Sequence, residues 1–132
     1  MDKLKILIAE DSKLARELYK MSLSDETYEK QFAENGEEVL EMHKLFKPDI
    51  MILDLMMPVK SGYAALKDIR GSEKSLEKKT AIIIVTGMKD KEDIIDCAKL
   101  GIQGYIIKPI NREKLGNTIL DYYNKFLESQ NK

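Results

Sequence analysis

Four short apolar runs, each closed by a polar residue, most constrain what this chain can fold into. Leu4–Ala9 is followed by Glu10 and Asp11, Ile50–Leu53 by Asp54, residues 81–85 by Thr86, and residues 103–107 by Lys108. Runs of this length, rich in Ile, Val and Leu, read as buried strands. A fifth, weaker strand is expected over 27–33. Helical spacing fills the gaps. Residues 12–24 place Leu14, Leu18, Met21 and Ala15 on one face. Asn35, with Glu38 three residues on, opens a helix that carries Val39, Leu40, Met42 or His43, and Phe46 to a stop at Pro48. Residues 61–70 present Tyr63, Leu66 and Ile69. Asp90 caps a helix to Leu100 with Ile94, Ile95 and Ala98 inward, ended by Gly101. Asn111 opens a last helix with Leu115, Ile119, Tyr122 or Tyr123, and Phe126 inward. Residues 71–80 read as a polar, solvated loop of mixed charge, and 128–132 as a frayed tail. Strand and helix thus alternate five times, which implies a parallel sheet covered on both faces, an α/β fold.

Composition narrows the function classes. The chain has 132 residues, the size of one domain able to bury a core without staples. A net charge of −1 gives no electrostatic footprint for nucleic acid or anionic membrane. The single cysteine, Cys97, excludes an internal disulfide and suits a reducing cytoplasm. No run approaches the ~20 apolar residues of a membrane span. The apolar stretch at Leu4–Ala9 is too short for a secretory signal.

In an open α/β sheet, ligands bind beyond the carboxyl ends of the strands. There the chain gathers Glu10, Asp11, Asp54, Thr86 and Lys108. Strand two adds only Glu34 and Asn35. A carboxylate at the tip of an apolar strand costs free energy unless compensated. Three carboxylates cannot share a site ionised without a counter-charge. A hard divalent cation such as Mg2+, which takes one or two carboxylates and keeps several waters, supplies it. Asp54 is then a candidate nucleophile, because carboxylates form aspartyl phosphates. Lys108 and the Thr86 hydroxyl stand where phosphoryl oxygens need charge and a hydrogen-bond donor.

The segments ILIAED, PDIMILDLMMPVKSGY, IIIVTG and GYIIKPI occur in this order at successive strand ends. Together they resemble a response-regulator receiver domain of the chemotaxis-regulator type. The resemblance spans nearly the whole chain, from about Lys3 to Phe126. It implies one receiver domain over 1–127: a doubly wound, flavodoxin-like (βα)5 fold with strand order 2-1-3-4-5. It implies Asp54 as phosphoacceptor and Mg2+ held by Glu10, Asp11, Asp54 and the backbone carbonyl of Met56. Asp11 is implied as the direct ligand and Glu10 as a ligand through water. It further implies a cis bond before Pro109 that aims Lys108 into the site, and Thr86 with Tyr105 as a switch pair. Gly87 stands where space for the phosphate is usual.

The expected function is that of a stand-alone phosphorylation switch. A sensor histidine kinase or histidine phosphotransfer protein donates to Asp54. The face formed by residues 90–126 then changes its affinity for a downstream protein. A relay that passes the phosphate on is the alternative. A haloacid-dehalogenase-like phosphatase is disfavoured, because Met56 stands where that class needs a second aspartate. A nucleotide-binding fold is disfavoured by the lack of a glycine-rich phosphate loop. Met56 and Met88 flank the water path and cannot orient water, so slow self-dephosphorylation or a separate phosphatase is expected. No output domain follows the fifth helix, so output through protein contacts is expected, from a monomer or weak dimer with no nucleic-acid or membrane partner. His43 is expected to be a surface residue, and Met51, Met56, Met57 and Met88 core or rim filler.

Overall fold

The computed structural model describes residues 2–75 and 79–130. The elements in order are β1 (Leu4–Ala9), α1 (Lys13–Ser22), β2 (Tyr28–Ala33), α2 (Gly36–Phe46), β3 (Ile50–Leu53), α3 (Gly62–Ser72), a 3-10 turn (Glu73–Ser75), β4 (Ala81–Thr86), α4 (Lys91–Leu100), β5 (Gly104–Ile107) and α5 (Leu115–Gln130). The five strands are all parallel, in the order β2-β1-β3-β4-β5, as the resemblance implied.

Strands β1, β3 and β4 form the middle of the sheet, and their side chains alternate between two cores. Leu7, Ala9, Met51, Leu53, Ile82 and Ile84 meet Val39, Phe46, Leu66, Ile69 and Cys97 from α2, α3 and α4. Ile6, Ile8, Ile50, Ile52, Ile83 and Val85 meet Tyr19 and Leu23, from α1 and its C-cap, and Leu115 and Ile119 from α5. Each such aliphatic side chain taken fully out of water contributes roughly 1.5–3 kcal/mol. Register sets the functional edge. Ala9 pairs with Leu53, Leu53 with Ile84, and Ile84 with Tyr105. Glu10 and Asp54 therefore leave the sheet side by side, one residue beyond this row.

Several helix faces differ from the sequence expectation. In α1, Tyr19 turns inward with Leu23 at its C-cap, while Leu14 and Met21 are 75% and 64% exposed. The amphiphilic stripe is sparse, and the face that meets the sheet is the one that buries the large Tyr19 ring together with Leu23. In α4, Cys97 is the buried residue, Ile94 is half-buried, and Ile95 and Ala98 face out. Asp90 occupies the N-cap position without a side-chain cap bond. The last helix runs to Gln130, past the start of the expected tail at 128, with Phe126 buried and stacked on Tyr123; residues 131–132 lie outside the described ones.

The expected polar loop at 71–80 is also corrected over its described residues; its part at 76–78 lies outside them. Helix α3 extends to Ser72 and the 3-10 turn folds Glu73 inward, to 1% exposure. His43 is buried, not a surface residue. Its Nε2 lies 3.2 Å from Glu73 Oε2 and 3.0 Å from Thr80 Oγ1. The Thr80 hydroxyl donates to the Pro48 carbonyl, so its oxygen accepts from His43, which carries the Nε2 proton. Arg70 completes the network with bonds to Glu73 Oε1, the Thr80 and Gly101 carbonyls, and Gln103 Oε1. This cluster ties α2 and α3 to the start of β4 and the end of α4, at the sheet edge opposite Asp54.

Candidate functional site

Glu10, Asp11 and Asp54 each bring a carboxylate oxygen within 4.8 Å of the other two. Backbone bonds fix the two supporting strand ends, with Glu10 N–H donating to Ala33 O and Asp54 N–H to Ala9 O. Lys108 reaches over from the end of β5. Its Nζ donates to Glu10 Oε1 at 2.5 Å and to Asp54 Oδ2 at 2.9 Å. Burial opposes the ammonium charge, but the bonds to Glu10 and Asp54 outweigh it, and the lysine pKa lies above its ordinary value. The Lys108–Pro109 bond is cis.

The remaining oxygens are ordered locally. Glu10 Oε2 accepts from Ser12 N–H at 3.2 Å, and Asp54 Oδ1 from Met56 N–H at 3.1 Å. Glu10 and Asp54 are buried, whereas Asp11 is exposed. Three carboxylates facing one ammonium leave an excess of negative charge in a partly closed site. Hard oxygen donors at this spacing fit a divalent cation of the Mg2+ type, with Glu10, Asp11 and Asp54 as its protein carboxylates.

The loop after Asp54 is tightly built. A Cβ on Gly62 would fall 1.9 Å from the Asp54 carbonyl oxygen, so only glycine lets α3 start this close to the acceptor strand. Val59 has φ +67 and is spanned by a Lys60 N–H to Pro58 O bond of 2.7 Å, the signature of a strained γ-turn. The methionines divide between core and rim, as expected: Met51 is core, Met57 and Met88 pack half-buried against it, and Met56 is 64% exposed on the rim of the site.

On the β4 side, Thr86 is fully buried and its Oγ1 accepts from Met88 N–H at 3.4 Å. The half-buried Tyr105 donates its hydroxyl to Met88 O at 2.7 Å. Burial, then the nearby Cys97, Asp93, Asp54 and Asp90, push its pKa up to about 12. A Cβ on Gly87 would meet nothing within 4 Å, so open space adjoins Thr86.

Two residues of the site went unnoticed in the sequence. Arg16 Nη1 donates to the carbonyls of Glu10 and Asp11, and Nη2 pairs with Glu34. Tyr19 is buried, and burial, then Glu10 and Asp54, hold its hydroxyl far above the ordinary tyrosine range. Their signal in the sequence was only a cation and a ring on the helix that follows the acidic pair.

Residues 6–120 match the family described as "Response regulator receiver domain". The chain belongs to this receiver-domain family. It is 32% identical over 116 residues to the "Chemotaxis protein CheY" of Halobacterium salinarum, covering 88% of this chain and 93% of that one. It is 35% identical over 115 residues to the "Probable transcriptional regulator ycf27" of Porphyridium aerugineum, covering 87% of this chain but 46% of that one. Among solved structures, the signal receiver domain of a putative Luxo repressor protein from Vibrio parahaemolyticus superposes with a TM-score of 0.86 at 26% identity, over 99% of this chain and 98% of that one. Receiver domains are signalling domains of two-component systems, and they bind Mg2+ at an acidic pocket. Among the described residues of this one, no helix is long and apolar enough to cross a membrane.

Proposed function

We propose that this receiver accepts a phosphoryl group on Asp54 from a sensor histidine kinase or a histidine phosphotransfer protein. The observation that carries this reading is Lys108, whose ammonium joins Asp54 to Glu10 from a strand end 54 and 98 residues away in sequence. An Asp54 carboxylate oxygen attacks phosphorus, the bond from phosphorus to the donor imidazole nitrogen breaks, and an acyl phosphate forms. Glu10, Asp11, Asp54 and the Met56 carbonyl would hold Mg2+, which would supply positive charge to the phosphoryl oxygens. Lys108 exchanges its carboxylate partner for a phosphoryl oxygen, and the Thr86 hydroxyl donates to another. Exposed Leu14, Met56 and Val59 stand on the segments that follow Asp11 and Asp54, and an apolar rim there favours a protein donor.

Output goes through protein contacts on the face of residues 90–126, with Thr86 and Tyr105 as the moving pair. The receiver unit is residues 1–127, acting in the cytoplasm as a monomer or weak dimer, and as a phosphoacceptor rather than a turnover enzyme. Met56 and Met88 have no group to orient water, so the acyl phosphate is long-lived. A relay role or a separate phosphatase follows naturally from that lifetime. Incubation with a phosphohistidine donor and Mg2+ tests the proposal. A hydroxylamine-labile phosphate is expected on the wild type and not on Asp54→Ala; equal labelling of both would overturn it.

A further inference from the structure

We infer that Arg16 is the positioning residue of the metal site, acting through the backbone of the acidic turn; this rests on the metal reading above. Arg16 is the fourth residue of α1. Helical side chains lean toward the N-terminus, so a residue there covers the turn before its own helix. Arg16 does so, with Nη1 donating to Glu10 O at 3.0 Å and to Asp11 O at 2.9 Å. Nη2 reaches Glu34 Oε1 at 3.0 Å, and the side chain is only 16% exposed. One planar fork thus satisfies two carbonyls that no strand pairing claims and ties the β1–α1 turn to the β2–α2 loop.

The carboxylates on that turn are held unequally. Glu10 is aimed by Lys108 and by Ser12 N–H. Among the described residues, the Asp11 carboxylate takes neither a hydrogen bond nor an ion pair. Only its backbone aims it, and Arg16 holds that backbone. The placement is not explained by helix stability, because a cation at a helix N-terminus opposes the macrodipole. Nor does a bare charge explain it, because a cation beside the site repels a divalent ion. Groups that orient metal ligands are worth about 10–100-fold in metal affinity. A lysine has the charge but lacks the fork.

The two roles differ in sign. Arg16→Met keeps the stem, loses charge and fork, and tightens Mg2+ binding if the residue is only a charge. Arg16→Lys keeps the charge and loses the fork. Calorimetric Mg2+ titration of the full chain is the test, with urea midpoints of the metal-free proteins to show that each is folded. Both variants are expected to bind Mg2+ roughly tenfold more weakly than the wild type, and Glu34→Gln more weakly by a smaller factor. An Arg16→Met that binds as tightly or tighter overturns the inference. If Arg16→Met does not fold, an Arg16→Lys of wild-type affinity overturns it equally. A wild type that binds no Mg2+ removes the metal reading and this inference together; a wild type that binds, with unchanged variants, removes this inference alone.

Discussion

The Tyr105 hydroxyl donates a 2.7 Å hydrogen bond to the Met88 carbonyl, while the Met88 N–H is taken by Thr86 Oγ1 at 3.4 Å. The two residues of the proposed switch therefore close on one backbone unit of the β4–α4 loop. A phosphoryl group that draws the Thr86 hydroxyl toward itself takes away the Met88 N–H partner and frees the loop to move with Tyr105. The proposed two-state element is small and local, and a partner would shift it only by its differential affinity for the two forms.

Tyr105→Phe keeps the ring and deletes the donor. It is expected to cost roughly 0.5–1.5 kcal/mol in urea unfolding, the net worth of one hydrogen bond. The amides of residues 87–90 should shift in a heteronuclear NMR spectrum, with phosphate incorporation on Asp54 unchanged. Unmoved amides would show that the loop is held by something else.

Met56 and Met88 govern the proposed phosphoryl lifetime. Met56→Asn and Met88→Glu each place a polar group on the water path. Each should speed loss of phosphate by roughly tenfold, below the ~100-fold of a fully positioned general base. The check is the decay of phosphorylated protein after donor removal. A wild-type half-life of seconds in Mg2+ would contradict the premise.

Val59 at φ +67 is a β-branched residue in the left-handed region, 75% exposed and without a packing reason to be there. Strain of this kind costs about 1–3 kcal/mol, against the ~0.5–1 kcal/mol that glycine loses in chain entropy. Val59→Gly should therefore raise stability by about 1 kcal/mol in urea unfolding.

Glu73 carries the acid sensitivity of the far edge. Burial raises its pKa, but hydrogen bonds and charge from His43, Arg70 and the Thr80 N–H outweigh burial and hold the carboxyl below its ordinary 4.5. A depressed folded-state pKa contributes stability above pH 4.5 that is lost as pH falls below it through the folded value. Glu73→Gln should cost about 1.5–3 kcal/mol at neutral pH. Its urea midpoint should also fall less steeply on acidification than that of the wild type.

Much of the site was legible because each member closes a strand. Glu10, Asp11, Asp54, Thr86 and Lys108 each follow an apolar run, and parallel pairing brings such ends to one edge whatever the helices do. The helix faces were less legible. The spacing of Leu14, Leu18 and Met21 in α1 suits a core face, yet Tyr19 and Leu23 occupy it, and in α4 Cys97 displaces Ile95. Helices with few apolar residues admit more than one rotation, and the sheet surface beneath chooses among them.

The sequence by itself determined the alternation of strand and helix, the parallel sheet, and the acidic edge with its lysine, because apolar periodicity and strand-end polarity are local properties. Tertiary structure alone decided that His43 and Glu73 are buried together and that Arg16 grips the acidic turn. A polar side chain goes wherever a partner satisfies it, and these partners come from other elements or from carbonyls whose direction the fold sets.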